Sequence, residues 1–333
     1  MDVMKFSQVI PRLRVYETKL LDKSKLDRMI DSHSASEALK VLQETEYANV
    51  MTNVKRPEDY ELILSEELKR LFELMYDISP EKLLIDLMSI KYDYQNIKVI
   101  LKGMFLKEDL SYLLVNVGTI DSLKLKNLIE NNDIRDLSPI MREAIEETIL
   151  KFEESKDPQL LDIILDKYMF KQLVHIKSEI NDTFVDKYVK CLIDSTNIKT
   201  LLRVKKQNKS REFFNSVIIE GGSLDKDKLL GMLNDSVENI TSKLAFTDYA
   251  EFIRVGIEYY TKTDSVSMLE KLIDNYIMNM MRDAKIIPFG VEPVIAYIYA
   301  KETEIKIIRI IMVGKLNNIA AEVIRERLRD IYV

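Results

Sequence analysis

Asp93-Tyr94-Gln95-Asn96-Ile97-Lys98-Val99-Ile100-Leu101-Lys102 returns as Asp194-Ser195-Thr196-Asn197-Ile198-Lys199-Thr200-Leu201-Leu202-Arg203, and more loosely as Lys301-Glu302-Thr303-Glu304-Ile305-Lys306-Ile307-Ile308-Arg309. The central Asn, Asn and Glu stand at positions 96, 197 and 304, an interval the size of a small domain. A pair of long amphipathic runs precedes each copy, so the echo belongs to a whole helical module. Glycines beside capping residues at Val117-Gly118-Thr119 and Gly221-Gly222 mark the joints. The expected organisation is three modules, residues 1–118, 119–222 and 223–333, packed as one body. Tetratricopeptide or HEAT arrays would repeat at roughly 34 to 47 residues, which sets a generic helical adaptor behind this reading.

Around the repeat, the composition is that of an all-α protein. Only 8 glycines and 7 prolines occur in 333 residues, and 31% of the chain is charged. A doubly wound α/β fold would need more turn glycines and β-branched runs. Helical spacing of apolar residues predicts helices from Val9 to Met29, Ser34 to Glu44, Glu58 to Tyr76, Glu81 to Met104, Thr183 to Lys206 and about Asp264 to Arg282, with another opened by Asp157-Pro158. A last apolar stripe runs from Ile305 through Ile324 to Leu328 and reads as core. Gly314 within it costs about 1 kcal/mol of helix propensity relative to Ala, so a bend or a close helix approach is expected there.

Several functions lose their usual signals. No phosphate-binding glycine loop, dinucleotide fingerprint or nucleophile elbow is present. His33 and His175 have no metal-ligand spacing, and His175 reads as a structural side chain on an apolar face. No acid–base pair stands out among 55 Asp and Glu residues, so no catalytic, cofactor or metal residue is assigned. Cys191 alone can form no internal disulfide and reads as a small buried hydrophobe. The first residues lack a cationic start and apolar core, so a cytoplasmic protein is expected. No run reaches the ~18 apolar residues of a spanning helix. The net charge of −6 argues against nucleic acid as a partner. Lys199, Arg203, Lys205, Lys206, Lys209 and Arg211 form a basic stretch without an acid, read first as a helix end that complements its dipole and second as an electrostatic contact for anionic lipid or an acidic protein face, with nucleic acid the least favoured.

Pro288-Phe289-Gly290-Val291-Glu292-Pro293-Val294-Ile295-Ala296-Tyr297 with the Lys301–Arg309 segment resembles the C-terminal signature of the C subunits of V-type (A-type) ATP synthases, which are homologous to the d subunits of vacuolar ATPases. Pro11-Arg12-Leu13-Arg14-Val15-Tyr16-Glu17-Thr18-Lys19-Leu20-Leu21, the Glu44-Thr45-Glu46-Tyr47 turn and the Asn-Ile-Lys motifs resemble the family too, so the likeness covers the chain. It implies a funnel of three pseudo-threefold-related helical modules. It also implies a non-catalytic central-stalk protein, one copy per complex, peripheral on the cytoplasmic face of the membrane. Such a protein joins D/F-type shaft subunits to a K/c-type rotor ring and links ATP hydrolysis or synthesis to proton or sodium transport. Lys98, Lys199 and Lys306, equivalent in the repeat, together with Arg203, Lys205 and Arg309, are the expected interface residues.

Overall fold

The computed structural model describes residues 3–52 and 54–333. Among these, sixteen α-helices and short 3-10 turns make up the secondary structure. In chain order they are α1 Val9–Glu17, α2 Lys23–Asp31, α3 Ala35–Leu42, α4 Tyr60–Ile78, α5 Lys82–Leu106, α6 Ser122–Glu130, α7 Pro139–Ser155 and α8 Pro158–Ile180. There follow α9 Thr183–Lys206, α10 Arg211–Val217, α11 Lys226–Met232, α12 Val237–Leu244, α13 Ala250–Thr263, α14 Ser267–Asp283, α15 Glu292–Leu316 and α16 Ala321–Arg327.

Local chemistry sets where these helices start. Asp22, Asp121 and Asp225 each accept the backbone N–H three residues on, at Lys25, Lys124 and Lys228, and so cap α2, α6 and α11. Ser34 and Ser236 cap α3 and α12 in the same way. Pro139 and Pro158 occupy the first turns of α7 and α8 behind Ser138 and Asp157, where the missing N–H costs nothing.

The chain divides into two compact units. One is Asp86–Ala250, in which α8 packs on α7 and α9, and α10 and α11 pack on α9. The other comprises the described residues up to Ile85 together with Glu251–Val333. Here α15 is the hub, in contact with α1, α2, α3, α4, α14 and α16. Most of its length is buried, including Val294, Ile298, Ile305, Ile308 and Ile311, and only the row through Arg309 and Val313 reaches solvent. Burying each such side chain stabilises by about 1.5–3 kcal/mol, and that offsets the cost of carrying Lys301 and Glu304 into the same interior.

Two expectations are corrected. The single helix expected from Val9 to Met29 is broken into α1 and α2, because Asp22 turns its side chain onto the backbone and starts a new helix. The C-terminal stripe is likewise interrupted by Asn318, which has φ 53°, before α16 folds back. Gly314 permits that return: a Cβ there would lie 2.5 Å from Cδ1 of Ile324, so the glycine serves a close helix approach. Val323, read as core, is 38% exposed.

Candidate functional site

Helices α5 and α9 use their shared motif to hold the chain that follows them. Asn96 donates from Nδ2 to the carbonyl of Val115 at 2.8 Å and accepts the Val115 N–H on Oδ1 at 2.8 Å. Asn197 repeats this on Ile219, with distances of 2.8 and 2.9 Å. Both amides are essentially inaccessible, and only a group with a donor and an acceptor side by side satisfies both halves of one residue's backbone. One turn earlier, Asp93 accepts from the Thr119 N–H (2.9 Å), the Thr119 hydroxyl (2.6 Å) and the Ile120 N–H (3.3 Å). Asp194 accepts from the backbone of Ser223 and Leu224 and from the Tyr249 hydroxyl at 2.9 Å. Gly118 and Gly222 allow this approach, since a Cβ would fall 2.0 or 2.1 Å from the carboxylate oxygen. Burial pushes the Asp93 carboxyl up to about 6 against the opposing pull of the Thr119 hydrogen bonds.

On α15 the corresponding positions are Lys301 and Glu304. Lys301 Nζ meets Glu67 at 2.9 Å and Glu304 at 2.6 Å, with all three side chains buried. Glu304 accepts the backbone N–H of Leu21, just before the Asp22 cap, and the Tyr47 hydroxyl at 2.8 Å. Arg70 forks onto Glu67 with two contacts of 2.8 Å, and Lys301 lies 4.3 Å from the Tyr47 ring centroid. Burial alone would lower the Lys301 ammonium, but the two carboxylates outweigh it and hold it above the ordinary lysine range. Burial, then the charges of Glu304 and Glu67, keep the Tyr47 phenol protonated well beyond its usual range.

The tyrosines belong to an echo that the motif reading passes over: Thr45-Glu46-Tyr47-Ala48 and Thr247-Asp248-Tyr249-Ala250. In each, the threonine hydroxyl accepts the tyrosine N–H at 3.3 Å. Each tyrosine hydroxyl then reaches an anchoring carboxylate of a long helix. The likeness of these two four-residue strings is the signal that would have found them.

The six expected interface residues are placed as follows. Lys98 pairs with Asp166 at 2.6 Å, one turn from a Lys102–Asp162 pair at 2.8 Å, which staples α5 to α8. Lys199 is half-buried and Arg203 exposed on α9, while Lys205 donates to the Leu233 carbonyl at 3.0 Å. In the other unit, Lys306 pairs with Asp274 on α14, and Arg309 forks onto Glu61 at 2.7 and 3.0 Å. Cys191 is buried against Ser195, and burial pushes its thiol up to about 11. His175, expected on an apolar face, is instead exposed and lies 3.2 Å from Glu179.

Among the described residues, no three His, Cys, Asp or Glu side chains gather into a metal-holding group, and no helix is long and apolar enough to cross a membrane. The buried polar groups just described hold the chain's own loops, the work of a structural, all-helical component. Residues 9–327 match the family model of the ATP synthase (C/AC39) subunit, and the chain belongs to that family, a non-catalytic part of V-type and A-type ATP synthases. It is 29% identical over 329 residues to the C subunit of the V-type sodium ATPase of Enterococcus hirae, with 99% of each chain covered. To the C subunit of the A-type ATP synthase of Methanocaldococcus jannaschii it is 30% identical over 350 residues, covering 98% of this chain and 87% of the relative. The equivalent A-type protein of Thermococcus kodakarensis is 26% identical over 332 residues, with 96% of this chain and 89% of the relative covered.

Proposed function

We propose that this chain is the rotor piece that joins the central shaft, of D/F-type subunits, to the K/c-type membrane ring, on the cytoplasmic face and in one copy per complex. ATP turnover in the head is then linked to proton or sodium movement through the ring. Family membership along residues 9–327 is the observation that carries this reading. The anchors support it mechanically. A torque-bearing part must not yield at its joints, and close-packed helices with doubly bonded connecting loops resist deformation. The three modules, 1–118, 119–222 and 223–333, are part of the same proposal, as is a contact role for Lys98, Lys199, Arg203, Lys205, Lys306 and Arg309. Charged rims favour orientation and encounter rate more than affinity, which suits a joint that must dock in register.

The test mixes the purified chain with detergent-solubilised ring and with isolated shaft, and counts copies by native mass spectrometry. One copy bridging both is the expected result. A folded, helical sample that binds neither would remove the rotor assignment. Exchanging Arg203 and Arg309 for Glu should weaken binding in a salt-dependent manner, and variants that fold and bind unchanged would take these residues out of the interface.

A further inference from the structure

After α16 the backbone turns extended at Leu328 (φ −67°, ψ 150°), and the residues up to Val333 lie against α14, α15 and the end of α1. Side chains of α14 hold this segment. Asn275 accepts the Asp330 N–H at 2.9 Å, Arg282 donates from Nε to the Ile331 carbonyl at 2.9 Å, and Asp274 takes Arg329 at 3.0 Å. Farther on, the Tyr332 ring is buried with its centroid 4.7 Å from Lys285 Nζ, and its hydroxyl donates to Glu17 at 2.8 Å. Arg14 forks onto the same carboxylate at 2.8 and 2.9 Å and donates to the carbonyls of Ala284 and Ile287 at 2.8 and 2.9 Å. This clasp ties α1 to the turn after α14.

Under the segment lies the bond that joins α15 to the start of α2. Ile331, Tyr332 and Val333 wall one side of a crevice whose other sides include Leu21, Thr303 and Glu304. Its free volume of about 10 Å³ is at the lower limit for a single water, so Glu304 holds the Leu21 N–H in nearly dry surroundings, where charges act most strongly on their partners. Lifting residues 329–333 would break side-chain ties and take one wall away, with the helix hydrogen bonds of α14 and α15 still made. We propose that residues 329–333 are a strap that opens locally and in opening admits water to Glu304, so that the strap sets how firmly α15 holds the start of α2. The inference stands apart from the rotor reading, since it concerns one joint within the chain. The Leu224 N–H, held by Asp194 in the other unit, provides the internal reference.

Native-state hydrogen exchange of the whole chain tests the strap without any substitution. The Asp330 and Leu21 N–H groups should share one opening of low denaturant dependence and exchange well before the interior amides of α15. A Leu21 N–H that exchanges only with global unfolding would overturn the proposal. Deleting residues 329–333 should speed exchange at Leu21 about tenfold or more while Leu224 stays within about twofold, as for the loss of a local cover. Tyr332→Phe keeps the ring, drops the bond to Glu17 and should give a smaller increase at Leu21. A chain that no longer folds without the segment would make it part of the core, and unchanged exchange would make it a passive tail; either result overturns the strap. Lys301→Met separates a cover from a contact that merely adds stability. Its cost should shrink in the deleted chain, because a wetted Glu304 is cheaper to strand, and strictly additive losses would count against the strap.

Discussion

At α9 an amide and a carboxylate hold a loop through its backbone, while at α15 the matching positions carry Lys301 and Glu304 in a buried ion network. The difference follows the distance along the chain. Asp194 reaches residues 29 and 30 positions away, whereas Glu304 reaches Leu21 and Tyr47 across 283 and 257. Closing the longer loop in an unstructured chain costs about 2 kcal/mol more, and charge-assisted hydrogen bonds are roughly twice as strong as neutral ones. Both joints set a carboxylate on backbone N–H groups, and the remote one adds the Lys301 ammonium between Glu67 and Glu304. Buried ion groups also punish mismatch, because either partner left alone is costly, so the network favours one docking of α15 on α2 and α4 over its alternatives.

The sharpest way to break this contrast is Lys301→Met. It leaves Glu304 without its buried cation and Glu67 with Arg70 alone, and should cost about 3–5 kcal/mol, read by urea unfolding. The triple variant Lys301→Met/Glu67→Gln/Glu304→Gln should recover a large part of that loss. A single variant as stable as the parent would mean that the charges do not hold the joint.

Next in size are Asn96→Ala and Asn197→Ala. Asn197→Ala leaves the buried N–H and C=O of Ile219 unpaired, at about 2–3 kcal/mol, and Asn96→Ala those of the half-buried Val115, at up to about 1 kcal/mol less. A gap wider than about 1 kcal/mol would show that the two anchors are not energetic equivalents.

The smallest effect separates Asp93 from the ion network by pH. Its folded value, about 6, lies above the unfolded one, so the native state binds more protons between the two. This contribution to stability is complete below about pH 4 and is lost as pH rises through about 6. The stability of the parent relative to Asp93→Asn should grow by about 1–2 kcal/mol when pH falls from 6 to 4. A difference that stays flat or reverses would place the Asp93 titration elsewhere.

Much of the helical plan was legible. The Asn-Ile-Lys repeat located α5 and α9, and sparse Gly and Pro gave the all-α class, because both signals are local. Gly118 and Gly222 read correctly as turns, although their reason, room for a carboxylate from the preceding helix, requires the fold. The break at Leu20-Leu21-Asp22 was hidden because apolar spacing continues through it without Gly or Pro; comparison with Asp121 and Asp225 exposes it. Glu304 looked like one more charge on an amphipathic helix, since its partners stand at 21, 47 and 301 and nothing nearby reports them. Lys306 and Arg309 could be named as basic positions, but their partners, Asp274 and Glu61, stand 32 and 248 residues away, a pairing that no periodicity contains.

The amides of Asn96 and Asn197 each mimic a peptide group in a one-residue ladder. Asn96 grips a residue 19 positions on and Asn197 one 22 positions on, and the intervening chain differs, a 3-10 turn at Ser111–Leu113 in one and the helix α10 in the other. Register is thus fixed at the grip, so the connector can lengthen or shorten by a few residues without moving the start of the next helix. Those connectors are the natural places to graft a tag or a reporter into this protein.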